Sequence, residues 1–231
     1  MAEPINASPV RLARAWHAVL AAVIVVALIV QVTLTASGVG SQVSLATRLV
    51  RLFSYFTIQS NILVAVAAIS LVMDPARDGK WWRVLRLDGL LGIATTGLVF
   101  HIVLAPISKA TGLARLASDG FHYVSPWMAL VGWLLFGPRP RIGWSTVALS
   151  LIWPAAWLAY TFMHGALSGW YPYPFLNAAQ IGYPAALANT AAVLAGSSVL
   201  VLLFKSLDRW VPAPLLSMRR WRAVDEGNAN A

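Results

Sequence analysis

About six apolar runs divide this chain, each close to or longer than the roughly 18–20 residues that cross a bilayer as a helix. In hydrocarbon every backbone N–H and C=O must be paired within its own segment, so runs of this length are expected to be helices. No alternating apolar/polar pattern supports a barrel. The expected fold is an all-α integral membrane bundle of about six transmembrane helices, with loops too short for a separate soluble domain. Composition agrees: only 11% of the 231 residues are charged and the mean hydropathy is +0.70, whereas soluble domains carry about 25% charged residues.

The first run, about Leu12 to Ala36, is too long for the apolar core of a signal peptide, and Gly38–Gly40 reads as a loop rather than a cleavage site. The second spans about Thr47 to Met73 and stops at Asp74-Pro75. The third spans about Val84 to Pro106. The fourth, about Phe121 to Phe136, ends at Gly137-Pro138 and is the shortest; a start near Ala117 would lengthen it. The fifth covers about Ile142 to His164 and the sixth about Tyr183 to Ser206. The chain thus divides into an N-terminal stretch (1–11), a six-helix transmembrane domain (12–206) and a basic tail (207–231) containing Arg219, Arg220 and Arg222.

Thirteen of the 17 Lys and Arg residues fall on one side of this layout, and only Arg48, Arg51, Lys109 and Arg115 on the other. The bias predicts that both termini are cytoplasmic, in a multi-pass protein of the cytoplasmic (inner) membrane. Trp81, Trp82, Trp144, Trp170, Tyr171, Tyr173 and Trp210 lie near the expected interfaces, as an aromatic belt does. The net charge of +9 then reflects loops facing anionic lipid. No nucleic-acid motif is present, so the expected partners are membrane lipids and not nucleic acid. The lack of cysteine excludes disulfides, thiolate metal sites and cysteine nucleophiles.

Polar side chains inside a membrane are costly and mark functional candidates. The second helix carries Arg51, Ser54, Thr57, Ile58 and Asn61, spaced to share one helix face. His101 lies late in the third helix, His122 and Ser125 open the fourth, and His164 ends the fifth below Trp153, Trp157 and Tyr160. All fall in the outer half of the membrane; only His17 lies on the cytoplasmic side. No carboxylate is expected deep in a helix, with Asp88 near a cytoplasmic end and Asp119 in a loop. That weighs against a proton-coupled transporter. Three histidines with Asp119 are a conceivable zinc set, but they lack local ligand spacing, so no metal is assigned.

Hydroxyl and imidazole remain. A Ser or Thr hydroxyl becomes a nucleophile when a base takes its proton, and histidine is the usual base. Asn61 or Ser54 could donate to an oxyanion. Arg48 and Arg51 could hold an anionic head group, and Trp153, Trp157 and Tyr160 could line an acyl-chain pocket. Taken singly, each of these residues is equally at home as packing glue, and their shared location implies a polar cavity without selecting a reaction.

The segment Phe53-Ser-Tyr-Phe-Thr-Ile-Gln-Ser-Asn61, the segment Phe121-His-Tyr-Val-Ser-Pro-Trp127 and the six-helix layout resemble the bacterial relatives of the androgen-induced and androgen-dependent membrane proteins. The eukaryotic members are threonine hydrolases of fatty acid esters of hydroxy fatty acids. The resemblance covers about residues 10 to 210 in topology. It implies Thr57 as nucleophile and His122 as base, acting on a lipid-like ester without a cofactor, with Asp119 as a group that could orient His122. Gln59-Ser60-Asn61, and a fourth helix without an extended His-rich start, depart from the eukaryotic pattern. Alternative readings are a non-enzymatic lipid-binding or sensing protein, a His-based metalloenzyme and a small-solute transporter.

Overall fold

The structure is a computed structural model in which residues 8–213 are described. Residues before Ser8, and the tail bearing Arg219, Arg220 and Arg222, lie outside the described residues. Among the described residues every regular element is helical. Five stretches are long and apolar enough to cross a membrane: Pro9–Ser37, Phe56–Met73, Lys80–Ile107, Trp144–Ser168 and Tyr183–Trp210. The chain has the make-up of a multi-pass membrane protein.

Helix α1 spans Ser8–Ser37. The expected second helix is instead two: α2, Leu45–Ser54, and α3, Phe56–Met73, separated at Tyr55, whose backbone is extended. No Pro or Gly marks the break. Side chains from elsewhere hold it open by taking the carbonyls it releases. Gln59 Nε2 donates to Phe53 O at 2.9 Å, and Trp157 Nε1 donates to Ser54 O at 2.9 Å. Irregular backbone within a membrane domain is tolerated where protein groups satisfy it. The break also corrects the expectation of one polar face from Arg51 to Asn61: Arg51 and Ser54 belong to α2, Thr57 and Asn61 to α3.

Helix α4, Lys80–Val99, continues through a π turn, Phe100–Leu104, and a short 3₁₀ turn, Ala105–Ile107. The expected fourth helix begins well before Phe121. Helix α5, Gly112–Asp119, runs into a π turn, Gly120–Val124, and then α6, Ser125–Phe136. It stops at Gly137, where φ is +74°, a conformation glycine adopts without a Cβ penalty. Helices α7, Trp144–Ser150, and α8, Ile152–Ser168, form one bent rod. Pro154 lies four residues beyond Ser150 and lacks the N–H that would bond its carbonyl, which accounts for the bend. A 3₁₀ turn, Pro174–Leu176, and the short α9, Ala178–Ile181, lead into α10, Tyr183–Trp210.

Helix α4 is central. One apolar cluster joins it through Ile93 to Leu20 and Ile24 of α1, Val64 and Ala68 of α3, and Ala129 of α6. A second joins Leu87, Leu90 and Leu91 to Trp133, Val147, Val201 and Phe204. Large apolar side chains also face outward, among them Ile29 at 60% and Val199 at 66% exposure, which suits a surface solvated by lipid.

Helices approach closely where a side chain is missing, the general device of membrane packing. Gly132 of α6 lies against the Trp16 indole of α1, whose Nε1 donates to Met128 O at 2.9 Å. A Cβ at Gly132 would sit 2.6 Å from that nitrogen. Gly132→Leu should therefore lose about 1–3 kcal/mol by overpacking, read as a lower unfolding midpoint in mixed micelles, whereas Gly196→Leu, which would meet nothing within 4 Å, should leave the midpoint unchanged.

Candidate functional site

The break at Tyr55 places Thr57 in the first turn of α3. The N–H groups there have no carbonyl one turn back, a feature of every helix N-terminus. The Thr57 N–H is taken by the Tyr173 hydroxyl at 3.1 Å, and the same hydroxyl lies 3.2 Å from Thr57 Oγ1. On its other side Thr57 Oγ1 lies 3.4 Å from His122 Nε2. Thr57 is 7% exposed.

His122 sits in the π turn between α5 and α6. A π turn moves the backbone ladder on by one residue and leaves a carbonyl over. The Ser118 carbonyl lies 2.8 Å from His122 Nδ1, with Ser118 Oγ at 3.2 Å. A carbonyl can only accept, so Nδ1 carries the proton and Nε2 turns its lone pair to Thr57. The Phe100 ring stacks on the imidazole at 3.8 Å with 17° between planes. Phe100 begins the π turn that ends α4, so two π turns face each other across this ring pair.

These contacts close into one directional chain. The Thr57 N–H donates to the Tyr173 oxygen, the Tyr173 O–H to Thr57 Oγ1, the Thr57 O–H to His122 Nε2, and the His122 Nδ1–H to the Ser118 carbonyl. Each donor and acceptor is used once in a consistent sense. Burial in an apolar shell of Tyr55, Trp157 and Phe175 pushes the Tyr173 phenol up to about 12, partly offset by its bond to Thr57.

The other expected site residues are placed as follows. Asn61 Nδ2 donates to Thr57 O at 2.9 Å and to Phe121 O at 3.4 Å, and its Oδ1 accepts from Ser125 Oγ at 2.6 Å. Its donors are spent on carbonyls, which corrects the expectation of an oxyanion donor there: Asn61 and Ser125 tie α3 to the His122 turn. Ser54 Oγ donates to Val50 O at 2.7 Å and meets the Tyr160 hydroxyl at 2.6 Å, so it is not free to donate to an oxyanion. Arg48 donates to Thr35 O, Ala36 O and Val43 O and so closes the end of α1 rather than holding a head group. Arg51 stacks over Trp170 at 5.2 Å. Asp119 pairs with Arg115 at 2.9 Å and does not orient His122; the Ser118 carbonyl does. His101 is exposed, edge-on to Tyr123. His164 stacks on Tyr160 and contacts Ser168. Among the described residues no three His, Asp or Glu side chains are grouped to hold a metal ion.

A cavity of about 130 Å³ opens beside Thr57 on the side away from His122. Trp153, Trp157 and Tyr173 wall its Thr57 end; Tyr160 is not part of the wall. From there it extends between α4, α8 and α10 past Leu91 and Val201 to Asp88. The cavity therefore reaches from Thr57 to Asp88, past the cluster of polar residues that the sequence singled out.

Sequence reasoning did not single out Tyr173, Ser118 or Phe100 as site residues. Tyr173 lies in Trp170-Tyr-Pro-Tyr-Pro-Phe175, a loop dense in aromatic residues; that density between two apolar runs was the available signal. No protein-family model, curated protein or solved structure matches this chain.

Tyr173→Phe should leave the buried Thr57 N–H without an acceptor, at a cost of about 1–3 kcal/mol, seen as a lower unfolding midpoint. Since the folded phenol ionises at about 12 and an unfolded one at about 10, the neutral Tyr173 stabilises the fold fully below pH of about 10. That contribution should fade as pH rises from about 10 through about 12. Ultraviolet difference titration should show one fewer late-ionising tyrosine in Tyr173→Phe than in the wild type.

Proposed function

We propose that this protein is a membrane-embedded ester hydrolase of the threonine type, acting on a lipid-like ester in the outer half of the cytoplasmic membrane. The observation that carries this reading is the Thr57–His122 pair, with the imidazole tautomer set by the Ser118 carbonyl. It is the same pair that the resemblance of the Phe53–Asn61 and Phe121–Trp127 segments implied. The separation of 3.4 Å is that of a catalytic bond before substrate tightens it.

His122 Nε2 takes the Thr57 proton as Oγ1 bonds to the ester carbonyl carbon. Negative charge moves to the carbonyl oxygen. As Oγ1 becomes bonded to carbon, the Tyr173 O–H that it held turns to the oxyanion, which the positive end of the α3 dipole also stabilises. The imidazolium returns its proton to the leaving alcohol as the carbon–oxygen bond breaks. Water, deprotonated by the freed Nε2, then attacks the acyl-threonine; as its carbon–Oγ1 bond breaks, the imidazolium returns the proton to Thr57 Oγ1 and the acid is released. The apolar part of the substrate lies in the cavity against Trp153 and Trp157. No cofactor takes part.

The sixth crossing of the expected bundle is residues 112–136, with both termini on the cytoplasmic side. Because the chain has no cysteine, single substitutions report topology cleanly. Lys109→Cys should react with an impermeant maleimide in intact cells, and Arg77→Cys only after permeabilisation; the reverse pattern would invert the orientation.

A fluorophosphonate should add once to the purified wild type, read by intact mass, and not at all to Thr57→Ala. His122→Ala should label and turn over about 10²–10⁴-fold more slowly, the usual contribution of a general base. Ser118→Ala should stay close to wild type, because the carbonyl, not the hydroxyl, makes the shorter bond to Nδ1. Equal labelling of all variants would overturn the nucleophile and favour a lipid-binding protein that uses the same cavity.

A further inference from the structure

The cavity beside Thr57 ends in a feature that an apolar chain alone does not explain. Asp88 of α4 lines that end, is 7% exposed, and its Oδ1 has no hydrogen-bond partner. Thr96, two turns along the same helix toward Phe100, lines the same cavity at 6% exposure, and its Oγ1 also lacks a partner. By contrast, Thr95 on the cavity wall is paired with Ser197 at 3.2 Å. Of the other acidic groups near this end of the bundle, Asp78 pairs with Arg83 at 2.6 Å, and Asp208, which does not line the cavity, accepts from the Arg141 and Ile142 N–H groups through Oδ2 while its Oδ1 has no partner.

A buried carboxyl oxygen without a donor is destabilising, and ionisable groups inside a membrane domain generally mark ligand sites. Gly92 lies between Asp88 and Thr96 on this wall, where a Cβ would meet Trp153 at 3.1 Å. The missing side chain lets Trp153 and Ser60 pack directly against α4 at the cavity wall.

We infer that the Asp88 end of the cavity binds a hydrogen-bond donor, a hydroxyl or an amine, carried on the far end of the substrate's apolar chain. The inference rests on the reading of this cavity as the chain pocket of the Thr57 site. It makes the substrate two-headed, with an ester carbonyl at Thr57 and a donor group at Asp88. Gly92 of α4 lies against Ser60 of α3, which sets Thr57 level with about Thr96, eight residues from Asp88, a rise of about 12 Å. The chain between the two heads is accordingly about eight carbons, in keeping with a cavity of about 130 Å³.

The test uses Thr57→Ala in phosphatidylcholine nanodiscs, so that binding is read without turnover and independently of whether Thr57 is a nucleophile. Three radiolabelled methyl esters of a saturated chain of about eight carbons are compared: unsubstituted, terminally hydroxylated and terminally aminated. Retained label reports occupancy. At least one donor-bearing ester should bind about 10-fold more tightly than the unsubstituted one, the effect of one hydrogen bond. The preferred ester identifies the hydroxyl or the amine. The preference should vanish in Thr57→Ala/Asp88→Leu, whose unfolding midpoint should be equal or higher because an unpartnered buried carboxyl has been removed. Equal binding of all three esters, no binding of any, or a preference that survives Asp88→Leu would overturn the inference. Wild-type labelling and turnover, measured separately, report on the hydrolase reading itself.

Discussion

The interruption of the second apolar run at Tyr55 is the constraint on which the site depends. A continuous helix from Thr47 to Met73 would bury the Thr57 N–H in its own ladder. Breaking it turns that N–H into a free donor and gives α3 an N-terminus of its own. The break is held by Gln59, Trp157 and Tyr173, each supplying a bond the backbone has lost. Trp153 fixes Gln59 in turn, donating to its Oε1 at 3.0 Å. The residues that wall the cavity and those that stabilise the irregular backbone are therefore largely the same. The pocket and the setting of Thr57 are built by one set of contacts.

A second irregularity meets the first. The π turn at Gly120–Val124 turns His122 toward α3 and gives its Nδ1 a carbonyl to bond. Asn61 and Ser125 clamp the two irregular segments together through side-chain bonds. Departures of this kind from a regular helix, π turns above all, recur at functional sites. Two of them converging on one hydroxyl and one imidazole is the strongest structural argument that the location is functional.

Much of the architecture was legible in the sequence because it follows from length and hydropathy. The long runs from Leu12, Val84 and Tyr183 appear as helices near their expected bounds. The pairing of Thr57 with His122 needed an early start to the fourth helix, and α5 begins at Gly112. What could not be read were features without a local signature. Tyr55 is flanked by no Pro or Gly, so the break follows from tertiary contacts with Trp170 and Tyr173. Asn61 and Arg48 carry donors that suit catalysis or anion binding equally well; only their partners, which are carbonyls, show that they are structural. Asp88, placed near a helix end by sequence, proves to line the cavity. Its neighbours along the chain could not reveal which way it faces.

The geometry around His122 holds it as a neutral imidazole directed at Thr57. Nitrogen NMR of the imidazole in nanodiscs is the test, since the two ring nitrogens report protonation separately. The ring should be neutral and protonated on Nδ1, with an Nε2 resonance that shifts in Thr57→Val as its donor is removed. A ring protonated on Nε2, or an Nε2 resonance indifferent to Thr57→Val, would contradict this geometry.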